Sequence, residues 1–268
     1  MTITPDCNTI LKLAEKYSIV PVCREIYADV TTPITLLRKL TGFSKRYYLL
    51  ESIEGGETWG RYSFLGYDPV MRVTCRDRKV YIEKQGKTET VETEKPLHVL
   101  REIMKDYKSP RLSGMPPFTG GFVGYFAYSM VGYAEPVLNI KKGTFPDYDV
   151  MLFDKVIAYD HLKQKICIIV NMRTDKVMEN YGEATAEIAR IAGLIKSAPV
   201  PAIAGEPEQI DFTCNVSREE YCSIVEKTKE YIRDGDIFQA VISRQFSSPM
   251  KGSLLTAYRV LRTTNPSP

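Results

Sequence analysis

Three polar side chains of types that bind amino acids stand near one another in the first quarter of the chain: Glu51, Ser52 and Arg61. A carboxylate can pair with an ammonium group, whereas a hydroxyl or a guanidinium can hydrogen-bond a carboxylate. Glu51 and Ser52 directly follow Tyr47–Leu50, an apolar and aromatic run of strand length. Polar groups buried at a strand end need partners. The sequence therefore allows two interpretations: a polar cluster that caps a sheet, which is the commoner case in proteins, or an amino-acid binding site.

The elements around these residues predict antiparallel sheet with attached helices, an α+β pattern. Gly55, Gly56 and Gly60 let the chain reverse, so that Arg61 opens a returning strand. A helix is predicted from Thr32 as N-cap to Gly42 just past its end. Further helices are predicted at 4–17, 97–107 and 181–195, and further strands at 19–26, 70–91, 119–129, 148–159 and 165–171. The range 70–91 is predicted as a meander with turns at Arg76-Asp77-Arg78 and Gln85-Gly86.

A change of composition at 197–207, where prolines and small residues concentrate, predicts a linker. Beyond it, Ser217 and Glu220 form the capping box of a helix that ends at Gly235. A strand at 236–246 and a last helix at 253–264 follow. One strand between two helices has no visible ladder partner, and about 56 residues are few for an independent core. We therefore expect an incomplete second domain.

Composition excludes several classes of protein. A net charge of +3 without a basic block is not typical of a nucleic-acid binder. No apolar stretch reaches the roughly 20 residues of a membrane helix and no signal pattern is present, so we expect a cytoplasmic protein without membrane contact. With only two histidines, His98 and His161, the composition argues against Ser-His or Cys-His catalysis and against His-based metal sites. The six cysteines form no C-x-x-C pair, and we expect reduced core residues at 7, 23, 75, 167, 214 and 222.

The glycines of the segment 119–129 form a weak nucleotide-binding signal. They lead into an aromatic strand, whereas a phosphate cradle needs the N-terminus of a helix. We interpret Gly120, Gly121 and Gly124 as positions where neighbouring backbones approach closely.

Five motifs in the same order and spacing give the chain a family resemblance. Together they closely resemble the large subunit of anthranilate synthase (component I), over about the N-terminal half of that family's usual length. The motifs are Leu49-Leu50-Glu51-Ser52, Gly60-Arg61-Tyr62-Ser63-Phe64, Gly120-Gly121-Phe122-Val123-Gly124-Tyr125, Gly235-Asp236-Ile237-Phe238-Gln239 and Asn265-Pro266-Ser267-Pro268.

The resemblance implies a fold and an activity. The implied fold is α+β, with antiparallel sheets packed face to face and peripheral helices. The implied activity is that of a lyase, which converts chorismate and ammonia to anthranilate and pyruvate with Mg2+ in tryptophan biosynthesis. A glutamine amidotransferase subunit (component II) supplies the ammonia.

The resemblance also divides the chain into parts with different roles. It implies a tryptophan-binding regulatory domain at 1–197, a linker at 198–212 and the beginning of the chorismate-binding catalytic domain at 213–268. The family's magnesium carboxylates and main catalytic residues lie C-terminal to these motifs, so no metal ligand is assigned here. We expect this stretch to be inactive alone.

Two groups of residues acquire roles from the resemblance. The family's feedback site for tryptophan implies contacts at Ser52 and Pro268, with Leu50 beside them. Glu51 is then a candidate partner for the ammonium, and the Ser52 hydroxyl or Arg61 for the carboxylate. Gln239 is assigned to the wall of the catalytic cleft. Related enzymes that add water carry a lysine there as a general base, which ammonia does not need.

Two alternatives remain open at this stage. The aminodeoxychorismate synthase large subunit uses the same substrate and ammonia donor without tryptophan feedback. A non-catalytic amino-acid-binding regulatory module would bind tryptophan and leave chorismate unchanged.

Overall fold

The computed structural model describes residues 2–51, 60–138, 140, 143–202, 211–249 and 253–265. The chain forms two compact units, the first over Met1–Pro201 with Thr264–Pro268 and the second over Ala202–Thr263. The helices of the described residues are α1 (Cys7–Ala14), α2 (Pro33–Thr41), α3 (Pro96–Lys105), α4 (Val131–Ala134), α5 (Val177–Ser197), α6 (Arg218–Arg233) and α7 (Leu255–Thr264), with a 3-10 turn at Tyr128–Met130. The strands are β1 (Ile3–Thr4), β2 (Ile19–Tyr27), β3 (Tyr47–Leu50), β4 (Tyr62–Tyr67), β5 (Met71–Arg76), β6 (Lys79–Lys84), β7 (Lys87–Glu92), β8 (Gly121–Phe126), β9 (Tyr148–Phe153), β10 (Lys155–Asp160), β11 (Lys165–Arg173), β12 (Thr213–Cys214) and β13 (Phe246–Ser247).

Two antiparallel sheets make up the first unit. One has six strands in the order β1-β2-β11-β10-β4-β3, and the other has five in the order β7-β6-β5-β9-β8. Every strand pairing in both sheets is antiparallel. The predicted α+β class with antiparallel sheets is confirmed. None of the helices in the described ranges is long and apolar enough to cross a membrane.

The chain passes between the two sheets at two places, from β4 to β5 and from β9 to β10. The prediction of one strand at 148–159 is therefore wrong, because Asp154 separates two strands of different sheets. The Asp154 carbonyl accepts hydrogen bonds from the backbone N–H of Asn171 at 2.8 Å and from its Nδ2 at 3.0 Å. Close to this crossing, the ring of Tyr48 on β3 packs edge-on against Phe153 of β9, with centroids 4.7 Å apart.

Each sheet has a helix-covered face. Helix α5 packs on β2 and β11 and contacts α1 and α2, so that Ile188 and Ile191 are buried against the six-stranded sheet. Thr32 caps α2 as predicted, accepting from the Thr35 N–H at 3.2 Å. Helix α3 covers the five-stranded sheet, and Tyr148 donates a hydrogen bond to the Pro96 carbonyl at 3.1 Å. The opposite face of the six-stranded sheet carries the candidate site.

Gly124 on β8 is a close-approach glycine, as the sequence predicted. A Cβ at this position would lie 2.0 Å from the Asp149 carbonyl oxygen and 2.7 Å from the Val150 Cα. We expect Gly124→Ala to lower the free energy of unfolding by about 2–3 kcal/mol, because the backbone of β9 must move. Gly182→Ala is the matched control: nothing lies within 4 Å of its Cβ position in α5. The control should raise stability by about 0.5–1 kcal/mol. Chemical unfolding of both variants checks this pair, and equal effects would contradict it.

The second unit contains α6, α7 and a two-stranded pairing of β12 with β13. The capping box is confirmed: the Glu220 N–H donates to Ser217 Oγ at 3.2 Å and the Ser217 N–H donates to the Glu220 carboxylate at 2.9 Å. The predicted strand at 236–246 is wrong, since only Phe246 of that range lies in a strand. A strand needs a ladder partner, and none runs beside 236–245 within the described residues. None of the described residues of this unit is buried.

The expectation of six reduced cysteines is wrong for one pair. Cys23 of β2 and Cys167 of β11 are joined as a disulfide, with Cα atoms 6.4 Å apart. The four other cysteines are free: Cys7, Cys75, Cys214 and Cys222. The expected core position is wrong for Cys214 and Cys222, which are exposed, whereas Cys75 is buried.

Candidate functional site

The candidate site begins where β3 ends. Leu50 pairs with Phe64 of β4, so the two side chains lie on one face of the sheet. Leu50 is 45% exposed, and Glu51, the next residue, is half-buried. The predicted contacts Ser52 and Pro268 lie outside the described residues, as do Gly55 and Gly56 of the connecting loop. Of the Leu-Glu-Ser segment, the structure therefore describes Leu50 and Glu51.

Arg61, the third residue of the predicted trio, is held by a carboxylate that the sequence did not single out. Its Nη2 donates to Asp160 Oδ2 at 2.7 Å and its Nε donates to Oδ1 at 3.2 Å. Asp160 closes β10 and also accepts from the N–H groups of Leu162 and Lys163, both at 3.0 Å. The guanidinium still has three N–H groups beyond these two bonds.

The electrostatics of the pair fix its charged state. Burial would raise the pKa of Asp160, but the hydrogen bonds from Arg61, Lys163 and Leu162 outweigh it and hold that pKa below the ordinary value of an aspartate. The bond to Asp160 also raises the pKa of Arg61. The site therefore presents an ionised, bidentate ion pair, in which the arginine side chain is 26% exposed.

Aromatic rings form a wall beside the ion pair. Tyr62 and Phe64 alternate along β4 on one face and stack with centroids 5.7 Å apart. The Arg61 guanidinium lies over the Tyr62 ring at 4.8 Å, and Phe118 meets Phe64 edge-on at 5.6 Å. Asp160 pairs with Tyr62 in the sheet register and therefore shares its face. Leu50, the two stacked rings and the ion pair thus lie on the same face of the six-stranded sheet.

A second polar contact, between Ser63 and His161, was missed by the sequence interpretation. Ser63 is fully buried, and its Oγ lies 2.8 Å from His161 Nε2. The Tyr159 ring packs on His161 with centroids 4.7 Å apart. No local signal reveals this contact, because it depends on the pairing of β4 with β10. Ser63 alternates with Tyr62 and Phe64 along the strand, so its side chain points to the helix-covered face of the sheet, opposite the candidate site.

Gln239 is exposed and belongs to no strand. Because the predicted strand at 236–246 does not form over 236–245, the structure places Gln239 on no sheet wall. Its assignment to catalysis therefore stays a prediction carried by the family resemblance alone.

No group of three or more His, Cys, Asp or Glu side chains close enough to hold a metal ion occurs among the residues that the structure describes. No described residue is therefore assigned as a magnesium ligand.

The family of the chain follows from its similarity to known proteins. Residues 45–268 match the family model described as chorismate binding enzyme. This chain belongs to that family.

Several proteins similar to the chain share one name. It is 38% identical to anthranilate synthase component 1 of Acetivibrio thermocellus, over 98% of this chain and 55% of that protein. It is 34% identical to the Aquifex aeolicus protein of the same name, over 100% of this chain and 56% of that protein. Anthranilate synthase component I from Streptococcus pneumoniae TIGR4 has a similar crystal structure, with TM-score 0.63, 28% identity, 90% of this chain and 52% of that chain covered. The chain thus spans about half the length of the relatives it matches.

Proposed function

We propose that this chain is the tryptophan-binding regulatory part of an anthranilate synthase large subunit, together with the start of the catalytic part. The whole protein would convert chorismate and ammonia to anthranilate and pyruvate and would be inhibited by tryptophan. The observation that carries the proposal is the Arg61–Asp160 ion pair beside the end of β3, next to an apolar wall of Leu50, Tyr62 and Phe64.

The arrangement suits a zwitterion with a flat apolar side chain. Asp160 fixes the orientation of the Arg61 guanidinium and leaves three of its N–H groups for a ligand carboxylate. Glu51, one residue beyond β3, is a carboxylate of the right charge for the ligand ammonium. Leu50 and the stacked rings offer apolar surface to an indole. Ser52 and Pro268 complete the proposed site.

The catalytic roles are proposals from the family. The expected cofactor is Mg2+, which acts on the substrate as a Lewis acid when bound. A glutamine amidotransferase subunit is the proposed ammonia donor, consistent with the word component in the names of the relatives. Because ammonia is already a nucleophile, its addition needs no general base at the position of Gln239 on the cleft wall.

An assay of the whole protein tests this proposal. With chorismate, ammonium and Mg2+, we expect anthranilate, detected by its fluorescence, and suppression of the rate by L-tryptophan but not by L-phenylalanine. The 268-residue chain alone should bind L-tryptophan without forming anthranilate. Formation of aminodeoxychorismate in place of anthranilate, or full activity at saturating L-tryptophan, would contradict the proposal. Tryptophan binding by a whole protein that leaves chorismate unchanged would identify a non-catalytic module instead.

A further inference from the structure

The disulfide between Cys23 and Cys167 lies inside the six-stranded sheet. Cys23 pairs with Ile169, and Cys167 pairs with Glu25, so the two cysteines occupy diagonal positions on adjacent strands. Cys167 and Ile169 are two residues apart on β11, so both sulfurs lie on the same face. Their Cα separation of 6.4 Å falls inside the range of about 4.4–6.8 Å that a disulfide spans. The sheet register therefore brings the two sulfurs together without any loop rearrangement.

A cavity lies beside Cys23, one of the two cysteines. The two cysteines are nearly buried, with 5% and 7% of their surface exposed. Cys23 nevertheless lines a cavity of about 510 Å³, together with Glu25 and two short segments. That volume lies within the roughly 300–1,000 Å³ of small-molecule sites. The segments contribute Thr2, Thr4, Pro5, Leu112, Ser113, Gly114 and Met115.

The two cysteines belong to a buried cluster of the six-stranded sheet. Val156, Ala158 and Ile169 are buried with the two cysteines, and Tyr62 and Phe64 pack against this cluster. The pair joins positions 144 residues apart in sequence. Closing so long a segment constrains the unfolded chain strongly. Formation or loss of the bond should therefore change the stability of the first unit markedly.

We propose that Cys23 and Cys167 form a site of reversible thiol–disulfide exchange, which reacts with small disulfides such as oxidised glutathione through the cavity beside Cys23. The Cys23 thiolate attacks one sulfur of the small disulfide, forming a mixed disulfide and releasing one thiolate. The Cys167 thiolate then displaces the second small thiolate and closes the protein disulfide. The protein loses two electrons and two thiol protons, and one small disulfide becomes two small thiols. This proposal does not depend on tryptophan binding.

The test uses the 268-residue chain with the exposed cysteines removed as Cys214→Ser and Cys222→Ser, which leaves four cysteines. The protein is incubated with oxidised glutathione or with dithiothreitol, alkylated under denaturing conditions and analysed by intact mass and peptide mapping. We expect four alkylated cysteines after reduction and two after oxidation, with Cys23 and Cys167 in one cross-linked peptide. Four alkylated cysteines after both treatments, or a cross-link involving Cys7 or Cys75, would overturn the proposal.

Thermal unfolding gives a second readout. The oxidised protein should melt roughly 5–15 °C above the reduced protein. Adding Cys23→Ser should remove that difference, whereas adding Cys7→Ser, a free cysteine of α1, should preserve it. If the Cys23→Ser protein fails to fold, Cys167→Ala and the mapping of the parent protein still decide the outcome. Equal melting temperatures of the oxidised and reduced parent protein would contradict the proposal.

Discussion

Asp160→Ala is expected to lower the free energy of unfolding by about 2 kcal/mol, because the backbone N–H groups of Leu162 and Lys163 and the Arg61 guanidinium lose their shared acceptor. The Asp160 side chain is only 8% exposed and accepts two bonds from Arg61 and one from each of two backbone N–H groups. The control is Glu94→Ala, which breaks a solvent-exposed pair with Arg78 whose side chains are 61% and 71% exposed. Its effect should stay below about 1 kcal/mol. Chemical unfolding measures both, and a similar loss in the two variants would contradict the structural role of Asp160.

The same substitution should change the acid sensitivity of the protein. Because folding lowers the pKa of Asp160, its ionised form contributes stability above the unfolded pKa of about 3.9. That contribution is lost as the pH falls through the folded pKa. The stability difference between the parent protein and Asp160→Ala should therefore be constant near neutral pH and shrink below about pH 4. A difference that does not change with pH would show that the carboxylate charge has no part in it.

Arg61→Ala is expected to weaken L-tryptophan binding by roughly 10- to 100-fold, the usual effect of losing hydrogen bonds to an ionised carboxylate. Arg61→Lys keeps the charge but loses the bidentate hydrogen bonds to Asp160, so this variant should bind L-tryptophan with intermediate affinity. Titration calorimetry is the suitable method, since Trp59, the chain's single tryptophan, complicates a fluorescence signal.

Two controls separate this binding effect from loss of fold. Arg78→Ala removes an exposed arginine of the turn between β5 and β6 and should leave the affinity unchanged. Circular dichroism of each variant establishes that the sheets are intact before titration. Unchanged affinity in a folded Arg61→Ala protein would remove this residue from the site.

Local features of the sequence were enough to predict most elements of the first unit. Thr32 and Gly42 mark the limits of α2, and the turns at Asp77-Arg78 and Gln85-Gly86 divide the meander into β5, β6 and β7. Such signals depend on the conformations of a few neighbouring residues. The split of 148–159 into two strands was not predictable in this way, because the crossing at Asp154 is decided by which sheet each half joins.

The candidate site was predictable only in part, for the same reason. Glu51 and Arg61 were found because they flank a glycine-rich stretch of sequence between two predicted strands. Asp160 lies 99 residues from Arg61 in sequence, and Cys23 lies 144 residues from Cys167. Contacts over such separations follow from the strand order of the sheet, which no local pattern specifies. The predicted strand at 236–246 was wrong although its residues alternate as in a strand, because no partner strand lies beside 236–245 among the described residues.

Calorimetric titration of the chain with L-tryptophan is the most direct test of the proposed sensor. We predict saturable heat for one site per chain, and its loss in Ser52→Arg, where a bulky cation would replace the proposed hydroxyl contact. L-Phenylalanine serves as the ligand control and should give little heat. No heat with L-tryptophan, or undiminished binding by the folded Ser52→Arg protein, would contradict the assignment of this region as a tryptophan site.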